Sequence, residues 1–413
     1  MSESIKFNII IPTRERSDTL IHSLRTVVNQ DYENLNIIVS DNFSQDNTRE
    51  VVDSFNDPRI IYYNTGKRLS MSHNWEFALS KVNDGWVSII GDDDGLLPGC
   101  LYKVAELIKK TKALAIRSNV CSYLWPDVNQ YKKWRFSVPI KSGFEVRNSG
   151  VWLSKVLKGN ASYPELPMLY NGGFICSSLI KKIKHIYNGT FYQSSAPDIF
   201  SSIALASIIK NYIYSHEPFA INGASRHSTG TSGINSGYDT KNSPIKKFFS
   251  EENIPFHPDI PICTEKKYPL PLQVAVYESY LKTSNLRDRF SKNHHRQQLG
   301  TILAIPERHE FYVKQWGQKF ASIHGLDYFK IESEARRKRI FLKLACLPKK
   351  LSLILDMYVM DANELPLNNV YEASIAGAKI RDTMPSQIEN IRHLPWKIIE
   401  HFRRKWHEKK ITP

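Results

Sequence analysis

The stretch Val87-Ser88-Ile89-Ile90-Gly91-Asp92-Asp93-Asp94-Gly95-Leu96-Leu97-Pro98 is an apolar run that stops abruptly on three consecutive carboxylates. A strand that delivers acids at its carboxyl end suits a hard divalent cation, since Mg²⁺ and Mn²⁺ prefer oxygen ligands and keep waters that a phosphate can replace. An acidic solvated turn is the other reading of the same residues. The surrounding chain bears on the choice.

Working back from that run, Phe7 to Ile11 is a short β-branched stretch closed by Pro12, and Ser17 or Asp18 can cap a following helix with Leu20, Leu24, Val27 and Val28 on one face. The alternation then repeats. Leu35 to Ser40 and Arg59 to Tyr63 read as strands, Thr48 to Phe55 and Met71 to Val82 as helices. Strands alternating with helices predict an α/β fold with a mostly parallel sheet flanked by helices, with ligands beyond the carboxyl ends of the strands. Polar clusters stand at three such ends: Pro12 to Arg16, Ser40 to Thr48, and Gly91 to Gly95. The sequence has no GxGxxG after the first strand and no GxxxxGK[ST], so neither the dinucleotide fingerprint nor the P-loop accounts for a nucleotide.

These residues resemble glycosyltransferase family 2, whose members have the Rossmann-like GT-A fold. The likeness rests on Ile10-Ile11-Pro12-Thr13 with Arg16, on Ile38 to Asn42 with Ser44, Asp46 and Thr48, on Asn74 after Gly66-Lys67-Arg68, and on Gly91 to Asp94 followed by Pro98 and Leu101. It is close over residues 6 to about 110, looser to about 230, and absent beyond. The resemblance implies a hexosyl-type transferase using a nucleotide-sugar donor, a UDP-sugar first, with Mn²⁺ or Mg²⁺. It places Pro12, Thr13 and Arg16 near the nucleoside, Asp41 on the base, Arg68 on the nucleotide or its phosphates, Asp92 on the ribose or a metal-bound water, Asp94 on the metal, and Asp93 in support of either. For Asp41 an Asx turn or a cap on the following segment is the competing reading, and Arg68 beside Lys67 could simply face water.

An inverting transferase also needs a base for the acceptor hydroxyl, and a carboxylate is the natural choice. Asp198 is the sole acid between Glu165 and Glu217 and opens a helix with Ile199, Ile203, Ala206 and Ile209 on one side. The resemblance makes it the base, with Pro197 where the family often has Glu. Complementing the helix dipole is its bland role. By the same resemblance His227, in the Gly/Ser/Thr-rich loop Ile221 to Gly233, is a further metal ligand, against an ordinary loop histidine; His73 reads as structural. Tyr123 to Arg147, rich in aromatic and basic residues, reads as an irregular loop closing over donor or acceptor.

The chain has 413 residues, 41% hydrophobic, enough for two or three domains. The expected division is a catalytic domain over 1–235, a Pro-rich linker or arm over 236–271, and a mainly helical basic region over 272–413. The formal charge of +15 favours an anionic partner. From 330 onward there are 17 Lys and Arg against 10 Asp and Glu, with a basic run Arg336 to Arg339 and an amphipathic segment carrying Trp396, Ile399, Phe402 and Trp406. Such segments lie in anionic membrane surfaces or pack on a core or a second subunit. Cys100, Cys121, Cys176, Cys263 and Cys346 form no CxxC pair, which fits a reducing cytoplasm, and neither a signal peptide nor a membrane span is expected.

These readings combine into a transferase acting on a glycan or lipid-linked acceptor in bacterial surface polysaccharide synthesis, cytoplasmic or peripheral at the inner membrane face. A homo-oligomer is compatible with them, and nucleic acid is not the expected partner. The alternative is a scaffold or nucleic-acid-binding protein on a degenerate version of the fold. A sugar nucleotidyltransferase is disfavoured because its Gly-rich loop near the amino terminus is missing.

Overall fold

The computed structural model describes residues 4–128, 135–228, 244–260, 272–286, 293–305, 310–361 and 367–383. The first half alternates as the sequence predicts: β1 (Phe7–Thr13), α1 (Ser17–Val28), β2 (Leu35–Asp41), α2 (Thr48–Asp53), β3 (Ile60–Asn64), α3 (Met71–Leu79), β4 (Trp86–Ile89). Period-2 side-chain alternation sorts these strands onto two cores. Ile9, Ile11, Ile37 and Val39 bury against Leu20, Leu24 and Val27 of α1. Ile10, Ile38, Val87 and Ile89 bury on the other face with Trp75, Ala78 and Leu79 of α3. Helix α1 starts one residue earlier than Ser17 or Asp18 capping would give: Arg16 is its cap residue, without a side-chain cap bond, and the Ser17 N–H donates to Asp46 Oδ2 at 3.1 Å.

The sheet is mixed. β3, β2, β1 and β4 are parallel, in that order. Beyond β4 the order continues through β9 (Gly173–Cys176), β6 (Ala115–Leu124), β7 (Arg135–Pro139) and β11 (Met357–Asp361), joined by antiparallel pairs. The long strand β10 (Asn211–Ala224) runs parallel to β6 and antiparallel to β8 (Phe144–Asn148) and to the two-residue β5 (Gly95–Leu96). Parallel pairing thus joins the four strands of the βαβ half and recurs between β10 and β6, while the remaining pairs are antiparallel.

Two expectations change. Tyr123 to Arg147 is not a closing loop in its described parts, because β6, β7 and β8 occupy it and Tyr123, Phe136 and Val138 are wholly buried, their alternation feeding a core. The arm also has structure of its own. Pro244–Phe249 is helical and Glu251 reaches back to the strand ends, its Oε1 paired with Arg14 Nη1 at 2.5 Å and its Oε2 accepting the Met71 N–H at 3.1 Å.

After α4 (Cys100–Thr111), α5 (Ser149–Leu157), α6 (Ser177–Ile186) and α7 (Pro197–Ile208), helices at Leu272–Lys282, Asn293–Ala304, Glu310–Ile323 and Tyr328–Asp356 form a bundle. Its core, with Tyr277, Trp316 and Phe320, is continuous with α5 and α7 through Leu153, Val156, Ile199 and Ile203. The chain then returns to the sheet. β11 pairs with β7, and the helix Val370–Thr383 packs against Leu97, Cys121 and Phe136, so the sheet draws on residues far beyond 235. Among the described residues no helix is long and apolar enough to cross a membrane. The segment with Trp396 and Trp406 lies outside the described residues.

Candidate active site

Register brings the first residues together. Thr13 stands opposite Asp41, and Asp41 opposite Asn64, so one row of polar residues closes three parallel strands. β4 pairs Ile10 with Ile89, and three residues further on Thr13 Oγ1 donates to Asp92 Oδ2 at 2.8 Å. Arg16 Nη1 donates to Asp92 Oδ1 at 2.9 Å, and Arg16 Nη2 to the His227 carbonyl at 2.5 Å. Burial opposes the charge of Arg16, yet Asp92 and Asp93 beside it hold its pKa above the usual value.

The triplet sits in a tight turn. The Asp94 N–H donates to the Gly91 carbonyl at 3.1 Å, and the Gly91 N–H donates to Asp94 Oδ2 at 3.0 Å. A Cβ on Gly91 would meet Asp94 Oδ2 at 2.7 Å and Tyr170 Oη at 3.1 Å, so a side chain there would push these two bonded groups aside. Asp94 Oδ2 also accepts from Tyr170 Oη at 2.6 Å, and its Oδ1 from the Gly223 N–H at 2.8 Å. Asp93 Oδ2 accepts from Ser225 Oγ at 2.6 Å and from Ser228 Oγ, while the Trp125 indole N–H donates to the Asp93 carbonyl at 3.0 Å.

Asp92, Asp93 and Asp94 are 2%, 5% and 1% exposed, and Arg16 is the guanidinium paired with them. Burial first, and like-charge crowding second, push Asp93 upward and Asp94 up to about 8. The oxygens of these carboxyl groups are of the hard kind a divalent cation takes, and a cation there would favour the ionised form that burial opposes. Among the described residues no three His, Cys, Asp or Glu side chains are arranged as a ready cage. His227 does not join the triplet: its Nε2 lies 3.1 Å from Asp18 Oδ2, an interaction that lowers Asp18 to about 2.

Asp41 is 2% exposed, and its Oδ1 accepts the Ser44 N–H three residues on at 2.9 Å, the bond of a residue capping the following segment rather than of an Asx turn. Its Oδ2 takes Tyr62 Oη at 2.5 Å and Asn64 Nδ2 at 3.1 Å. Arg68 is half exposed and donates to Glu15 Oε1 at 2.8 Å. Pro12 lies in β1 opposite Ser40.

Asp198 follows Pro197 in the first turn of α7. Burial raises its pKa, against a 2.7 Å hydrogen bond from Tyr163 Oη to Oδ2. Tyr170, bonded to Asp94, also lies within electrostatic range of Asp198. Trp75 flanks it at 5.4 Å between ring centroids and Tyr192 flanks Trp75 at 5.8 Å. Sequence reasoning passed over Tyr163, Tyr170, Ser225, Ser228 and Glu251. The signal for Tyr170 was its place before Asn171-Gly172-Gly173; a Cβ on Gly173 would fall 1.8 Å from the Met168 carbonyl, so the loop can turn there only with glycine.

Residues 8–159 match the model of the family described as glycosyl transferase family 2. Over that span the chain is similar to glycosyltransferase family 2. Within it fall the Thr13, Arg16, Asp41 and Asp92 to Asp94 positions, while Tyr163, Tyr170, Asp198 and Gly223 lie beyond the family 2 match. The chain is 35% identical over 104 residues to the GalNAc(5)-diNAcBac-PP-undecaprenol beta-1,3-glucosyltransferase of Campylobacter jejuni, covering 24% of this chain and 34% of that protein. To an uncharacterized glycosyltransferase of Mycoplasma pneumoniae it is 23% identical over 205 residues, covering 44% of this chain and 66% of that one. It therefore spans about a third and about two thirds of the lengths of these relatives. Among solved structures, S. aureus TarS with UDP-GlcNAc aligns with a TM-score of 0.47 at 14% identity, over 81% of this chain and 92% of that one.

Proposed function

We propose that the chain is a metal-dependent, inverting glycosyltransferase that moves a sugar from a nucleotide-sugar donor to a glycan or lipid-linked acceptor in surface polysaccharide synthesis. The observation that carries this is the convergence of Thr13, Arg16 and Asp92 at adjacent strand ends, with Asp94 linked through Tyr170 to the neighbourhood of Asp198. The family 2 match and the lipid-linked acceptor in the name of the Campylobacter relative support the same reading.

In this reading the row Pro12, Thr13, Asp41 and Asn64 receives the nucleoside, and Arg16 and Arg68 lie toward the phosphates. Asp93 and Asp94 would hold Mn²⁺ or Mg²⁺, with Asp92 kept in place by Thr13 and Arg16; His227 would have to leave Asp18 to join them. When bound, such a cation neutralises charge building on the leaving diphosphate. Asp198 takes the proton from the acceptor hydroxyl, and the raising of its pKa by burial makes it a stronger base than an exposed carboxylate. On the helix Tyr328–Asp356, exposed Phe329, Ile340, Phe341 and Leu344 lie with Arg336 and Arg337 on one side, a composition that supports contact with an anionic membrane.

The test is a screen of UDP-, GDP-, CMP- and dTDP-sugars for Mn²⁺-dependent hydrolysis and transfer. One donor should turn over, chelation should stop it, and Asp94→Ala should lose it while still folding. Asp198→Asn should bind donor yet fail to transfer. Turnover that survives both chelation and Asp94→Ala refutes the metal role.

A further inference from the structure

Tyr163 occupies a single 3-10 turn, Tyr163–Glu165, at the head of a loop that ends on Tyr170 and Asn171. That loop is pinned along its length. Arg117, buried on β6, donates from Nε to the Pro164 carbonyl at 2.6 Å and from Nη1 to the Asn171 carbonyl at 2.5 Å. Tyr212 Oη bonds the Glu165 carbonyl at 2.6 Å, and the Leu169 N–H bonds Ser201 Oγ of α7 at 3.1 Å. A planar guanidinium spending its fork on main-chain oxygens fixes a loop in a way a lysine cannot.

The loop therefore presents a phenol at a fixed place to Asp198. Tyr163 Oη donates to Oδ2 at 2.7 Å and takes one carboxylate oxygen, leaving Oδ1 outside that bond. We propose that Tyr163 is the positioning residue of this site, holding Asp198 ionised and turned so that Oδ1 meets the acceptor hydroxyl. This rests on Asp198 being the base. The groups facing Asp198 are Tyr163 and Tyr170 from the loop and Tyr192 from the chain before α7, with Arg117 behind Tyr163. Glu278, on the neighbouring helix Leu272–Lys282, is spent on Ser194, Ser195 and the His257 N–H.

A hydrogen bond donated to the charged form lowers a carboxyl pKa, so its removal raises it. In Tyr163→Phe the acid limb of the transfer pH profile should move upward by about one unit. On the acid limb transfer should then fall by up to about tenfold, the loss recovering as pH rises past the shifted limb, with KM for donor little changed. A purely structural role would lower the rate at every pH and leave the limb where it was; that result, or an unchanged rate, overturns the inference. Should Tyr163→Phe not fold, 3-fluorotyrosine in place of Tyr163 keeps the shape with a stronger donor and should move the limb downward; an unmoved limb overturns it equally. Asp198→Asn is run alongside. If it still transfers, the base assignment fails and this inference with it; if it is dead while Tyr163→Phe keeps the wild-type profile, only the inference fails.

Discussion

Replacing Gly223 by alanine should damage the site more than any change of one methyl group elsewhere in β10. A Cβ at Gly223 falls 1.8 Å from the Asp93 carbonyl oxygen and 2.7 Å from Trp125 Nε1. The first of these is main chain, so no side-chain rotation relieves it, and Asp93 has to retreat by more than an ångström to reach ordinary contact. Two hydrogen bonds sit on that contact: Trp125 Nε1 to the Asp93 carbonyl at 3.0 Å, and the Gly223 N–H to Asp94 Oδ1 at 2.8 Å. Overpacking of this kind costs about 1–3 kcal/mol, and each buried bond disturbed adds about 1 kcal/mol. A displacement of about 1 Å at reacting groups costs on the order of 10²-fold in rate. Urea unfolding and donor turnover in Gly223→Ala measure both effects. The control is Gly150→Ala in α5, where the nearest contact would be Asn148 Oδ1 at 3.6 Å and the helix should gain up to about 1 kcal/mol. Turnover and unfolding midpoint both at wild-type level in Gly223→Ala would refute the reasoning, since the acids could not then depend on that backbone contact.

Glu278 has no solvent exposure and accepts from Ser194 Oγ at 3.1 Å, Ser195 Oγ at 2.6 Å and the His257 N–H at 2.8 Å. Burial raises its pKa above the ordinary 4.5, so the stability it contributes is full below that value and is lost as pH rises through the folded value. Glu278→Gln should flatten that part of the stability–pH curve; an unaltered slope in urea midpoints between pH 4 and pH 8 would count against it. Glu251→Ala should cost about 1–2 kcal/mol, because it removes both the acceptor at the start of α3, where Ser70 makes no capping bond, and the partner of Arg14. Limited proteolysis of residues 244–260 should speed up in that variant, and an unchanged cleavage rate would show that Glu251 does not hold the arm.

The parallel half of the fold was legible because its information is local. Short apolar runs from Phe7, Leu35 and Ile60 each end on polar residues, and the helices between them carry one apolar face. Thr13, Asp41 and Asp92 could be placed side by side from that pattern alone, and register does align Thr13 with Asp41. Legibility fails where the pattern stops being periodic. Tyr123 to Arg147 has the composition of a loop, yet Tyr123 and Phe136 are core residues of paired strands, a pairing fixed by β10 and by β11 some 220 residues away.

The same limit explains the residues around the acids. Asp94 could be read as a ligand or as a turn residue, but not as the partner of Tyr170 and Gly223, since those contacts depend on where β9 and β10 run. Asp94 closes its own turn through the Gly91 N–H and, with its other donors, ties the first half of the domain to the second. Asp93 does likewise through Ser225 and Ser228. Carboxyl groups buried this deeply are tolerated because main-chain and hydroxyl donors satisfy them and because burial favours the neutral form of Asp93 and Asp94. The bonds that make the turn therefore also fix where the three carboxyl groups stand, a placement that side chains free in water would not keep.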